Sequence, residues 1–229
     1  MSLDLGVTHV EPLALLRQVT LLSAAPDAEL QRLAASTSPR RLARGQILFV
    51  EGEPSSHLYV VVEGRLKVFV SSGRGEDLVL AVLTAGDCLG EISVLDEQPR
   101  SASAEALEPT ELLAVPTDAL RDVLRHNPTL MVGWAQDLAG TVRRLTGATA
   151  DLVFLDLPRR LAKYLVDSAD GANEVHLGLS QGDVAARLGV TRQSLNRALG
   201  GLTRRGWVTT SPTVIVLSDP AALRRFADS

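Results

Sequence analysis

The chain has 229 residues, 45% of them hydrophobic, and a net charge of −4, which suits one large or two modest domains with a real core. A single cysteine, Cys88, excludes an internal disulfide, a four-cysteine zinc site and a cysteine-held iron–sulfur cluster, and His9, His57, His126 and His176 lack ligand spacing, so metal and haem chemistry are not expected. No apolar run reaches about 18 residues and no basic-then-apolar leader opens the chain, so a cytoplasmic location without a membrane span is expected.

The charge is unevenly shared. From Pro158 onward there are ten Lys+Arg and six Asp+Glu, a net of +4, while the first 157 residues carry −8. An acidic first part with a basic last third predicts that only the last third meets a polyanion.

Residues 9 to 37 repeat apolar groups at helical spacing, and Ala25-Pro26-Asp27-Ala28-Glu29 reads as a helix start, with proline and carboxylates where a first turn favours them. From Arg44 to Val115 the texture changes to short β-branched runs bounded by glycine: Gln46 to Val50, Leu58 to Val62, Leu66 to Val70, Leu78 to Leu83 and Glu111 to Val115. That pattern predicts a compact β-barrel or sandwich. Gly52-Glu53 reads as a plain turn.

Within the β segment, Leu89-Gly90-Glu91-Ile92-Ser93-Val94-Leu95-Asp96-Glu97-Gln98-Pro99-Arg100-Ser101-Ala102 gathers one carboxylate, one guanidinium and one hydroxyl around a turn. Gly90 lets the backbone approach a ligand, and N–H groups of a helical turn starting there would point at an anion. Arg100 can fork onto two phosphate oxygens, and Ser101 can donate to a third. A carboxylate beside a phosphate would repel it, so Glu91 belongs on another part of the ligand, most simply a ribose hydroxyl. The combination describes a cyclic nucleotide. Cys88 beside it reads as a small buried apolar residue.

Thr117 to His126 reads as a short helix stopped by Asn127-Pro128. The longest helical pattern follows, Thr129 to Asp156, with a seam of Met131, Ala135, Leu138, Val142, Leu145, Thr149 and Leu152 stepping by four and three. A 3.5-residue period predicts pairing with a second copy. Gly133, Gly140 and Gly147 lie away from that seam and should each cost about 1 kcal/mol relative to Ala, which suggests close contact with the β segment or a deliberately marginal helix. Pro158 disfavours helical geometry at Leu157 and suits a helix first turn, so a hinge is expected at Asp156 to Pro158, with an amphipathic helix from Arg160 to Ser168.

Residues 180 to 199 carry helix-turn-helix patterning: Val184, Ala185 and Leu188 on one short face, Gly189 for the turn, Val190 in the corner, and Leu195, Ala198 and Leu199 on the second face. Thr191 is placed to cap the second helix, and Arg192, Gln193, Ser194, Asn196 and Arg197 gather on its outer side, where early residues of a recognition helix enter a major groove. Arg192 and Arg197 suit guanine, and Gln193 suits adenine. Arg204, Arg205, Ser180 and Gln181 read as phosphate contacts. Trp207 to Thr210 and Thr213 to Leu217 flank Ser211-Pro212 as a β-hairpin wing, Trp207 anchoring its core, and Asp219 to Ala227 reads as a final helix.

These two motifs, in this order, resemble the CRP/FNR family of bacterial transcription regulators. The resemblance implies an α+β chain: a nucleotide-binding β-roll with flanking helices at 1–127, a dimerisation helix and hinge at 128–157, and a winged helix-turn-helix at 158–229. It further implies Glu91 on the ribose 2′-hydroxyl, Arg100 and Ser101 on the cyclic phosphate with backbone N–H groups near Gly90, Glu91 and Ile92, and Thr146 on the base at the dimer seam. In relatives responsive to cyclic AMP a Thr-Ser pair contacts adenine, whereas this chain has Leu145-Thr146. Cyclic AMP is therefore the first expectation and cyclic GMP the second. Relatives commonly carry Glu at the Gln193 position, so the half-site does not carry over. The implied partners are double-stranded operator DNA, a second copy of the chain and RNA polymerase, with no enzymatic activity, metal or further cofactor. Constitutive DNA binding with a vestigial pocket is the alternative; a nucleotide module governing an enzyme or channel is disfavoured by the helix-turn-helix.

Overall fold

The computed structural model describes residues 11–169, 172–176, 180–211 and 214–228. Its packing divides the chain into two units, one comprising the residues up to Val68 with Val82–Ala139, the other Phe69–Ala81 with the residues from Gly140 onward.

The first unit opens with α1 (Pro12–Gln18), where proline occupies the first helical turn, a 3₁₀ turn (Thr20–Leu22), and α2 (Asp27–Ser36), whose first turn carries Asp27 and Glu29. Along the chain eight strands follow, of which β4 from Phe69 and β5 up to Ala81 are counted with the second unit: β1 (Ser38–Leu42), β2 (Ile47–Phe49), β3 (His57–Glu63), β4 (Leu66–Ser71), β5 (Asp77–Leu83), β6 (Cys88–Leu89), β7 (Ser103–Ala106) and β8 (Thr110–Pro116), with α3 (Glu91–Asp96) between β6 and β7. They form two four-stranded sheets, ordered β1-β8-β3-β6 and β2-β7-β4-β5. Leu42, Phe49, Val61, Leu66, Leu89, Ala104, Ala106 and Leu112 make one apolar cluster of this β-roll. Gly64 closes the β3–β4 turn at φ +88°, and a Cβ there would meet the Pro109 carbonyl and the Thr110 hydroxyl at 2.5 and 2.6 Å, so only glycine fits.

Leucines of α1 and α2 cap the roll together with α4 (Thr117–His126) and the start of α5 (Pro128–Phe154). Trp134 is 1% exposed and its indole N–H donates to the Leu21 carbonyl at 2.8 Å, which fixes the first turns of α5 on the helical cap. Strands β1, β6 and β7 were not expected from the sequence, whose expected runs correspond to β2, β3, β4, β5 and β8.

The second unit holds α6 (Leu157–Ser168), β9 (Glu174–His176), α7 (Gln181–Arg187), α8 (Arg192–Arg204), β10 (Val208–Thr210), β11 (Val214–Leu217) and α9 (Pro220–Ala227). Leu161, Leu165, Val184, Leu195, Leu202 and Leu223 form its core. The wing is a three-stranded sheet ordered β10-β11-β9, one strand more than the hairpin expected from sequence; Pro212 and Thr213 of that expectation lie outside the described residues.

The long helix stops at Phe154, two residues short of the expected Asp156, because Asp156 turns extended and accepts a capping hydrogen bond from the Arg159 N–H at 3.1 Å. The junction is braced. Lys163 Nζ donates to both Asp151 carboxylate oxygens at 2.6 and 2.8 Å, and the Arg160 guanidinium donates to the Leu152 carbonyl at 3.4 Å and the Leu188 carbonyl at 3.2 Å. Gly189, at φ +65°, makes the helix-turn-helix corner. On the α5 seam Met131, Val142, Leu145 and Leu152 stay between 43 and 62% exposed. Among the described residues nothing lies within 4 Å of a Cβ built at Gly133 or Gly147.

Candidate functional site: an anion cradle and a reading head

Gly90 adopts φ +94° between β6 and α3, and a Cβ there would overlap the Arg100 Nη1 and approach the His57 carbonyl oxygen to 3.3 Å. Glycine is thus required twice, for the backbone turn and for the guanidinium laid against it. Helix α3 is buttressed from α4, where the Arg121 guanidinium donates to the Ser93 and Val94 carbonyls at 2.9 and 2.8 Å.

Arg100 is 5% exposed. One amino group donates to the His57 carbonyl, and the guanidinium carbon sits 4.1 Å from the Phe49 ring centroid and 5.6 Å from that of Tyr59. Its Nε and Nη1 are buried with no partner among the described residues. Two orphaned donors on a permanent cation are costly unless an anion completes them. The Arg100 backbone is clipped on both sides, Gly52 N–H donating to its carbonyl at 2.8 Å and its own N–H donating to the Glu53 carbonyl at 2.9 Å. The Gly52-Glu53 turn therefore positions the site, although it carries no ligand motif of its own.

Burial lowers the Arg100 pKa, opposed by Tyr59, Glu91 and Glu53, and the guanidinium stays charged. Burial raises the Glu91 carboxyl pKa, and the Asp137 carboxylate on α5 pushes the same way, while the backbone N–H groups of Glu91 and Gly90 and the charge of Arg100 oppose them. Cys88 is pushed up to about 12, first by burial and then by Glu91, Asp87 and Asp137, so its thiol is inert at neutral pH.

Of the residues expected at this site, Gly90, Glu91 and Arg100 come together. Ile92 and Ser101 are exposed on the same segment. Thr146 lies on α5 with its hydroxyl donating to the Val142 carbonyl at 2.9 Å. His57, Phe49 and Tyr59 were not expected at this site, and Gly52-Glu53 was read only as a plain turn, since each reaches Arg100 from tens of residues away in sequence.

In the second unit, α7 and α8 are both capped. The Ser180 hydroxyl accepts from the Asp183 N–H at 3.1 Å and donates to the Asp183 carboxylate at 2.6 Å, while the Thr191 hydroxyl accepts from the Ser194 N–H at 3.2 Å. The Ser194 side chain is tied to Thr191 at 3.1 Å, so Ser180, Thr191 and Ser194 shape the helices' ends with their hydroxyls. Leu195, Ala198, Leu199 and Leu202 bury one face of α8, and Arg192, Gln193, Asn196 and Arg197 stand exposed on the other. Arg192 reaches the Gln181 side-chain oxygen at 3.5 Å, linking the two helices on that open side. Arg204 and Arg205 are exposed at the far end of α8, with Arg205 lying 5.2 Å over the Trp207 ring. Among the described residues no helix is long and apolar enough to cross a membrane, and no group of His, Cys, Asp or Glu could hold a metal ion.

Comparison with known proteins agrees with this division. A family model described as cyclic nucleotide-binding domain matches residues 39–127, and one described as Crp-like helix-turn-helix domain matches residues 159–226. The chain is 31% identical over 202 residues to a CRP-like cAMP-activated global transcriptional regulator of Mycobacterium tuberculosis, covering 85% of this chain and 90% of that protein. It is 31% identical over 196 residues to the cyclic AMP receptor protein of Thermus thermophilus, covering 85% and 91% respectively. The fold matches that of a CooA variant from Carboxydothermus hydrogenoformans with a TM-score of 0.72 at 23% identity, over 84% of this chain and 88% of that one. With a nucleotide-binding β-roll, a long helix and a capped helix-turn-helix in one chain, this protein belongs to the CRP/FNR family of transcription regulators.

Proposed function

We propose that the protein is a homodimeric transcription regulator whose affinity for operator DNA is set by a cyclic nucleotide in the β-roll, cyclic AMP before cyclic GMP. The observation that carries this reading is Arg100: a buried guanidinium whose Nε and Nη1 lack partners, laid against a glycine that opens a helical turn. A cyclic phosphate supplies two acceptor oxygens for those donors. Glu91 accepts from the ribose 2′-hydroxyl, Ser101 donates to the phosphate, and Thr146 meets the base edge, giving up its bond to the Val142 carbonyl. The exposed apolar seam of α5 supports pairing with a second copy, since a row of aliphatic side chains left in water gains by burial. Paired α5 helices would set two α8 helices in grooves one DNA turn apart, roughly 34 Å. Arg192, Gln193, Asn196 and Arg197 then reach base edges, and Gln181 reaches the backbone. The names of the similar mycobacterial and Thermus proteins support cyclic AMP as the first ligand to test.

The test is calorimetric titration with cyclic AMP and cyclic GMP, followed by anisotropy of duplexes selected from a randomised pool, with and without nucleotide. A saturable site and a shift in DNA affinity of about 5- to 150-fold are expected. DNA affinity that ignores a bound nucleotide, or the absence of any nucleotide binding, overturns the switch and leaves constitutive binding.

A further inference from the structure

The basic end of the second unit carries a feature the recognition helix does not explain. Two guanidiniums converge on Phe226 of α9: the Arg159 Cζ lies 5.9 Å from the ring centroid and the Arg205 Cζ 5.3 Å. Arg205 also stacks over Trp207, whose ring meets Phe226 at 5.2 Å with an interplanar angle of 50°. Like charges repel, so bringing them to one aromatic platform needs a counter-ion or a role. No counter-ion is supplied among the described residues: neither arginine pairs with a carboxylate there, and the Arg159 Nε is buried without a partner among them. Arg204, Arg224 and Arg225 stand exposed on the same two helices, likewise without an ion pair among the described residues.

A guanidinium held over an aromatic ring keeps amino N–H groups beyond the ring, and a pair of these matches two oxygens of a phosphodiester. We propose that Phe226 and Trp207 form a platform that presents Arg159 and Arg205 to the phosphate backbone of bound duplex DNA, as a sequence-independent grip beside the base-reading face of α8. This rests on the DNA-binding reading above. Duplex DNA is favoured as the occupant because the chain from Pro158 onward carries a net charge of +4, and because Arg204 lies on α8, whose exposed face carries Arg192 and Arg197. Phe226 acts here as a positioning residue, through the arginines.

The full-length chain is titrated against a labelled duplex of mixed sequence, about 40 base pairs long, between about 50 and 200 mM NaCl, which reads phosphate contacts without knowledge of the operator. Replacing both arginines, Arg159→Ala with Arg205→Ala, is expected to flatten the slope of log affinity against log salt by about 1.8 per subunit, so the fall in affinity across that range shrinks about tenfold for each subunit bound. Phe226→Leu keeps the apolar volume, removes the aromatic face and is expected to lose part of the slope, and Phe226→Tyr to restore it. A merely structural Phe226 would move melting temperature and leave the slope alone. A wild-type slope in the double-arginine variant, or in Phe226→Leu, overturns the platform while leaving the DNA-binding reading intact. A wild-type chain that binds no duplex at all overturns both.

Discussion

Replacing Arg100 by methionine separates its structural from its ligand-binding role. The stacking of the desolvated guanidinium on Phe49 at 4.1 Å contributes about 2 kcal/mol, and its charge-assisted bond to the His57 carbonyl about 1.5–3 kcal/mol. Against this, the two unpartnered donors cost about 1–3 kcal/mol each. The sum is close to zero, and methionine retains flexible apolar volume over the ring. Arg100→Met should therefore melt, without ligand, within about 4 °C of the wild type. Nucleotide at about one hundred times its Kd stabilises the wild type by about 2.7 kcal/mol, a rise of roughly 5–11 °C for a chain of this size, and the variant should show none of it. Scanning calorimetry with and without cyclic AMP, then cyclic GMP, reads both numbers. A variant that keeps the nucleotide-dependent rise means that the guanidinium does not hold the anion. One destabilised by more than about 4 kcal/mol without ligand means that the guanidinium is a structural strut, its two donors satisfied in solution.

Glu91→Gln tests the buried carboxyl. Because burial and Asp137 raise the Glu91 pKa in the folded chain, the folded state holds a proton that the unfolded state has released; the penalty is absent below the unfolded value, about 4.3, and grows as pH rises through the folded one. The variant should therefore exceed the wild type in melting temperature at pH 7.5, with the gap closing towards pH 4.5, and a gap that stays constant or widens on acidification would refute the assignment. Thr191→Ala removes the acceptor for the Ser194 N–H and should cost about 1 kcal/mol of melting stability, while Thr191→Ser keeps it. Equal melting temperatures for the two variants would show that the cap contributes nothing.

Much of this architecture is written in local chemistry. The helix-turn-helix was legible because its needs are short-range: a hydroxyl at Thr191, a left-handed corner at Gly189, and leucines three and four apart on α8. The cassette was legible for the same reason, since Gly90, Glu91 and Arg100 lie within one short segment. What surrounds Arg100 was not. Phe49 and Tyr59 come under its guanidinium through the pairing of β2 with β7 and of β3 with β6, and the His57 carbonyl is 43 residues away in sequence. Strands β1 and β7 were missed because Ser38-Pro39-Arg40-Arg41 and Ser103-Ala104-Glu105-Ala106 carry little of the β-branched signal that marks β3 and β4. Strand β9 was missed because three residues are too few to show a period. The stacking of Arg159 and Arg205 on Phe226 joins three separate elements, and nothing local at Phe226 announces it.

The bracing around the end of the long helix bears on how a signal could travel. The Arg160 side chain holds the last turn of α5 and the corner of the reading head at once, and the Lys163 ammonium, one turn further along α6, grips Asp151. A swing at the hinge expected from Asp156 to Pro158 would have to carry or release these bonds, which makes them a latch on that movement.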